Sequence, residues 1–273
     1  MSQGQERNYI LGTHDEELRR LDLQHRVWLP TVLDCWYRAG ITVGSKVLDI
    51  GAGPGFATLD LAETVSPRGQ VVALERSQRF LEAARSACLV RGLKQVTFHE
   101  LDLMTDAWPT LSVDAAWCRW VACFVSSPAE LIQKIALSVR PGGRAIFHEY
   151  ANYASWRWLP HRPLLEDYVR QVMKTWRSSG GEPDIGLELP RLLQQAGFTI
   201  REAVPRVFCV RPDHFIWRWP AAFIDSGLNR FLELKEVTED WANAVRQEFQ
   251  AAQADPNTLM MTPLVLEIVA EKR

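Results

Sequence analysis

Val47-Leu48-Asp49-Ile50-Gly51-Ala52-Gly53-Pro54-Gly55-Phe56 is an aliphatic run that breaks abruptly into glycines. Lys46 to Ile50 reads as a short buried strand, because β-branched and aliphatic side chains fill a pleated surface. The glycines allow a tight reversal into a helix that runs to about Val65, and they let a ligand lie against bare backbone. In open α/β sheets the carboxyl ends of the strands are where ligands bind. A glycine cluster alone is equally compatible with a purely structural turn.

Working outward, strands and helices alternate. Gln70 to Leu74 reads as a second strand and Gln78 to Val90 as a helix. Val96 to Glu100 and Asp114 to Arg119 follow as strands, then a helix over Pro128 to Ser138, the turn Arg140-Pro141-Gly142-Gly143, and a strand over Arg144 to His148. This spacing predicts βαβ units and a doubly wound, mainly parallel sheet. Farther on, helices are expected over Leu164 to Trp176, Leu187 to Ala196 and Asn229 to Ala252, with strands over Phe198 to Val210 and Leu264 to Glu271. The last two strands suit an antiparallel edge, completing a seven-stranded sheet. Before the sheet, Asp15 to Ala39 has helical spacing, with Pro30 expected to interrupt it and Thr31 to Tyr37 to restart it.

Composition bounds the function. The 273 residues are 47% hydrophobic and 23% charged, as in a folded globular chain. A net charge of −2 gives no basic excess for nucleic acid or an acidic membrane. The five cysteines are scattered without a C-x-x-C pair, and Met1 to Asn8 lacks an apolar targeting region, which suits a cytoplasmic protein. Ala115 to Val125 is too short to span a bilayer and carries Arg119. No spacing of His, Cys and carboxylates proposes a metal site.

The glycine turn departs from the dinucleotide fingerprint Gly-x-Gly-x-x-Gly. Its third required position is Phe56, and the extra glycine falls one residue early at Gly55. Two carboxylates then arrive in order. Glu75 ends the second strand, where it can accept hydrogen bonds from ribose hydroxyls, or simply be a solvated strand end. Asp102 follows the third strand between Leu101 and Leu103, suited to an adenine amino group or to the N-cap of a helix.

These residues, with Val139-Arg140-Pro141-Gly142-Gly143, resemble the class I S-adenosylmethionine-dependent methyltransferases, in the small-molecule branch similar to the ubiquinone and menaquinone biosynthesis enzymes. The resemblance covers roughly residues 43–150. It implies S-adenosylmethionine as cofactor, with Gly51 and Gly53 backing its methionine part, Glu75 at its ribose, and Asp49, Ala52 and Arg76 also among the cofactor-binding residues. Leu101, Asp102 and Leu103 would flank the adenine, and Cys118 and Arg119 the methyl group. Tyr9 and Gln24, in a segment that also contains Glu17 and Arg20, would close over the cofactor. The implied organisation is an N-terminal helical lid (1–42), a cofactor-binding α/β core (43–150), and a cap with the closing strands of the same domain (151–273).

Methyl transfer from a sulfonium is an in-line displacement, so the protein mainly aligns the partners. A general base is needed only where the acceptor must lose a proton. Candidates near the reacting centre are His148, Tyr150 and Arg119; His148 and Glu149 are adjacent on a strand, so only one of them can face the cofactor. The aromatic clusters Tyr153 to Trp158 and Phe215 to Trp219 fall in the cap and suit either cap packing or the wall of a pocket for a flat or apolar acceptor. Alternatives are a protein of this fold that catalyses another reaction or only binds the cofactor, and an NAD-dependent oxidoreductase. No pattern sets the oligomeric state, and a homodimer that exchanges its lid helix is compatible with the sequence.

Overall fold

The computed structural model describes residues 15–273. Helix α1 (Asp15–Arg38) runs unbroken through Pro30, contrary to the expected interruption. The proline removes one N–H from the ladder, but Trp28, Val32, Cys35 and Trp36 on one face are all buried and hold the turns on either side of it.

The βαβ reading of the core is reproduced in β1 (Lys46–Ile50), α2 (Phe56–Val65), β2 (Gln70–Glu75), α3 (Gln78–Arg91), β3 (Val96–Glu100), β4 (Val113–Arg119), α4 (Pro128–Ser138) and β5 (Val139–Asn152). The Arg140–Gly143 turn is taken into β5 as an irregularity: β4 and β5 pair at Val113↔Val139 and resume at Ala115↔Arg144. After it come β6 (Arg157–Leu159), α5 (Pro163–Ser178), α6 (Leu189–Gln195), β7 (Phe198–Arg206), β8 (Cys209–Val210), α7 (Arg218–Glu233), α8 (Glu239–Ala254), β9 (Leu259–Met261) and β10 (Leu264–Lys272).

Seven strands form one sheet in the order β3-β2-β1-β4-β5-β10-β7. All pairs from β3 to β5 are parallel, and β10 runs antiparallel to both β5 and β7. The chain reverses its direction of travel across the sheet between β1 and β4. That is the switch point where doubly wound sheets leave a crevice at the strands' carboxyl ends.

Two features of the cap depart from expectation. The single helix expected over Asn229–Ala252 is two helices, because Lys235 adopts φ +58° and Thr238 starts a new helix by accepting the Trp241 N–H at 3.2 Å. A small second sheet, β6-β9-β8, joins the cap's distant segments through Trp158↔Met260 and Val210↔Met260. Its members lie far apart in sequence, so no local periodicity announces it.

Candidate functional site

At the end of β1 the backbone turns through Gly51 at φ +63°. A β-carbon there would stand 2.5 Å from Val121 Cγ2, so both its conformation and its neighbour demand glycine. Above Gly53, by contrast, nothing lies within 4 Å of where a β-carbon would be. Gly55 meets α3 in the same way as Gly51 meets Val121, its hypothetical β-carbon 2.5 Å from that of Ala84. That contact explains a glycine one residue before the dinucleotide position, which Phe56 occupies as the first residue of α2.

Two acids fix this turn. The Thr58 hydroxyl donates to Asp49 Oδ2 at 2.6 Å, tying β1 to α2, and burial pushes the Asp49 carboxyl up to about 6. Glu75, 2% exposed, accepts the Gly53 N–H on Oε2 at 2.9 Å and the Arg76 and Ser77 N–H groups on Oε1 at 2.9 and 2.8 Å. Burial raises its pKa, while these amides oppose the rise. A carboxylate offers about four acceptor directions. Three amides therefore leave Glu75 room for one further donor, on the oxygen nearer Gly53. Ala52 is held by its own N–H to Leu74 O at 3.0 Å.

At the end of β3, Leu101 donates its N–H to Glu75 O at 3.1 Å. Asp102 caps the following turn, Oδ1 accepting the Met104 and Thr105 amides at 2.8 and 3.2 Å. No helix starts there, so it caps a turn rather than a helix, with one of its oxygens engaged among the described residues. Leu103 packs against the core, and its carbonyl accepts from Trp108 Nε1 and Lys134 Nζ.

The end of β4 meets α1. Arg119 Nη2 lies 3.1 Å from His25 Nδ1, and His25 Nε2 lies 2.7 Å from Asp60 Oδ2 on α2. A guanidinium can only donate, so Nδ1 accepts and the Nε2–H donates to Asp60. The imidazole is thus fixed as one neutral tautomer, and burial lowers its pKa. Its ring stacks on Phe56 at 5.8 Å. One residue before His25, Gln24 Oε1 accepts from Arg20 Nη1 at 2.8 Å, and Arg20 forks onto Glu17. The Cys118 thiol is buried and held well above its ordinary range. Tyr9 lies outside the described residues.

The end of β5 separates its candidates. His148 is fully buried, with Trp28, Trp120 and Trp117 centred 4.8, 5.0 and 5.9 Å away and Glu267 Oε1 3.9 Å from Nδ1, and neither ring nitrogen has a hydrogen-bond partner among the described residues. Burial keeps it neutral, well below the usual histidine range. Enclosed by indoles, it is badly placed to take a proton from an acceptor. Glu149, equally buried, accepts the Val121 and Ala122 amides at 2.8 Å each, and so braces the loop that packs on Gly51. Tyr150 stacks on Trp120 at 5.6 Å and meets Tyr153 and Trp176 edge-on at 5.0 and 6.0 Å.

The turn residues, Glu75, Leu101 and Arg119 thus gather at the switch point. Sequence reasoning missed His25, Asp60, Thr58 and Val121, none of which sits in a spaced motif. Among the described residues no group of three His, Cys or carboxylate side chains is arranged for a metal ion. Nor is any helix among them long and apolar enough to cross a membrane.

Comparison with known proteins follows the same lines. Residues 48–147 match the methyltransferase domain family. The chain is 32% identical over 166 residues to an uncharacterized 37.1 kDa protein in a transposon of Streptomyces fradiae, covering 59% of this chain and 46% of that one. It is 27% identical over 151 residues to a demethylmenaquinone methyltransferase of Lactococcus lactis, covering 55% and 57%. It therefore spans about half the length of these curated relatives. A putative methyltransferase from Bacillus halodurans shares the fold with a TM-score of 0.58 at 16% identity, over 88% of this chain and 97% of that one. The strand order and the glycine turn agree with the family match, and residues 48–147 are a methyltransferase domain.

Proposed function

We propose that this protein transfers a methyl group from S-adenosylmethionine to a small-molecule acceptor with an aromatic or lipophilic body. The observation that carries the cofactor half is the Gly53 amide held on Glu75 Oε2, beside a turn with open space above it. When bound, the cofactor supplies an activated methyl group. The chain's own residues bind and orient. Gly51 and Gly53 offer bare backbone, Glu75 has one acceptor direction left for a ribose hydroxyl, and Leu101 and Asp102 lie at the next strand end for the adenine. Cys118, neutral, flanks the transferring end, and Arg119 stands one residue beyond it.

The acceptor half rests on the Trp120–Tyr150 stack with Tyr153 and Trp176 behind it, an aromatic wall on the cap side of β5. A flat apolar body packs well on such rings. Tyr150 is the candidate for contact with the acceptor. With its phenol held well above the ordinary range it acts as a hydrogen-bond donor rather than as a base. Alignment, not proton abstraction, is then the main contribution to rate.

Calorimetric titration with S-adenosylhomocysteine and with NAD tests the reading: binding of the first and not the second is expected, and the reverse overturns it. Glu75→Ala is expected to weaken S-adenosylhomocysteine by roughly 1.5–3 kcal/mol, the scale of charged hydrogen bonds. An unchanged affinity removes Glu75 from the site.

A further inference from the structure

Arg119 differs from the other partly buried arginines. Arg20 forks onto Glu17, while Arg38 and Arg206 both reach Glu267. Arg119 forms no ion pair among the described residues. Its partners are the neutral His25 at 3.1 Å and the face of Trp120, 5.4 Å from ring centre to guanidinium carbon, and its Nη1 is buried without any hydrogen-bond partner. Burying a cation without a paired anion costs several kcal/mol. Meanwhile its Nη2 is held in place by a chain of two further residues, His25 and Asp60. A structure that both isolates a guanidinium and fixes its orientation has prepared it for an anion.

The register says where that anion would lie. Ile50 pairs with Cys118, so Arg119 stands one residue beyond, level with Gly51. The two nearest acids are committed elsewhere, Asp49 to the Thr58 hydroxyl and Asp60 to His25. Both disfavour extra negative charge, and the contacts of Arg119 among the described residues include no second cation. A monoanionic carboxylate suits this setting and a dianionic phosphate does not.

Resting on the cofactor reading above, we infer that Arg119, aimed by His25 and Asp60, anchors the carboxylate at the amino-acid end of S-adenosylmethionine. Arg119 is the contact residue; His25 and Asp60 are positioning residues that act through it. No proton transfer is involved. His25 serves as the acceptor that holds one side of the guanidinium, leaving the Nη1 edge to the ligand.

The test compares binding of S-adenosylmethionine with that of its decarboxylated form, which lacks that group alone, by calorimetry without acceptor. The wild type is expected to prefer the intact cofactor by roughly 10- to 100-fold, the scale of charge-assisted hydrogen bonds. In Arg119→Met that preference collapses to within about 3-fold, while the decarboxylated form binds as before and so reports an intact fold. His25→Phe keeps the stack on Phe56 but removes the acceptor, and is expected to lose part of the preference; Asp60→Asn is expected to lose less. A preference that survives Arg119→Met, or a parallel loss of both ligands, overturns the anchor. A selectivity unmoved by His25→Phe overturns the positioning chain. If the wild type binds neither ligand, it is the cofactor reading itself that fails.

Discussion

From β1 to β4 the sheet is filled mostly by small and aliphatic side chains, Val47, Leu48, Ile50, Val71, Val72, Leu74, Ala115 and Ala116, with the ring of Trp117 among them, all buried. The cap is filled by rings: Trp156, Trp158, Tyr168 and Trp217 are almost wholly buried there. The glycine turn also treats its polar groups differently from the buried indoles. Around the glycine turn the acids are met by amides and hydroxyls, Asp49 by Thr58 and Glu75 by three N–H groups. Within the cap the indole nitrogens of Trp158 and Trp217 are buried without partners, each such group costing about 1–3 kcal/mol. Other cap rings are satisfied, Tyr168 donating its hydroxyl to Phe223 O at 2.8 Å and Trp176 Nε1 donating to Cys123 O at 3.0 Å. The core is thus built for fixed backbone geometry, and the cap for apolar ring surface at some cost in stability. That division suits a common cofactor held by backbone and an acceptor recognised by shape.

The contrast breaks most visibly at Trp28. Its ring is fully buried and touches both regions, with Trp120 and His148 at 5.7 and 4.8 Å on the core side and Phe208 and Trp219 at 5.1 and 5.0 Å on the cap side. Trp28→Ala is expected to lower stability by about 3–5 kcal/mol in urea unfolding, the usual cost of deleting a buried indole. A loss below about 1 kcal/mol would mean the two regions do not share this ring as a joint.

A smaller effect sharpens the core side. Burial pushes the Glu149 carboxyl from its ordinary 4.5 up to about 7, against the amides of Val121 and Ala122. The folded protein therefore retains a proton that the unfolded chain releases. The stability this contributes is fully present below about 4.5 and is lost as pH rises through about 7. Glu149→Gln keeps an oxygen for the two amides and cannot ionise. It is expected to match the wild type near ~pH 5 and to exceed it by on the order of 1–3 kcal/mol near ~pH 8, followed by thermal unfolding. The buried histidines titrate in both proteins, so they cancel in the difference. A difference that does not change with pH would show that Glu149 is not protonated in the fold.

These two residues also show what a sequence can and cannot say. The parallel core was legible because Val47–Ile50 and Val71–Leu74 are dense β-formers and Gly51 must be glycine, all local properties. Glu75 and Asp102 were legible by position at strand ends, but not their hydrogen bonds. Nothing local reveals that Glu75 already serves three amides, or that Asp102 caps its own turn. His25 and Asp60 are 35 residues apart and meet only because α1 crosses α2. Pro30 misled because tertiary packing outweighs a local helix breaker. Thr238, followed by Glu239 and Asp240, was a readable helix start inside what was taken for one helix. His148 was a plausible base by strand position, and three indoles around it are visible only in the fold.

The smallest expected effect lies on the cap's polar rim. Arg177 pairs with Glu182 at 2.7 Å and Asp184 at 3.0 Å, and its side chain is 46% exposed. Exposed pairs typically contribute about 0–1 kcal/mol, because water screens them and two long side chains must be held still. Asp184 has a second tie, its Oδ1 accepting the Tyr153 amide at 2.7 Å, and that bond does not depend on Arg177. Arg177→Ala should therefore cost under about 1 kcal/mol, and less in high salt, because screening already weakens the wild-type pair. If the cap is held by ring packing, this variant also leaves acceptor turnover unchanged. A loss well above about 1 kcal/mol, or one insensitive to salt, would show that the rim acts through Asp184 to hold Tyr153 beside Tyr150, making the cap less purely aromatic than its interior implies.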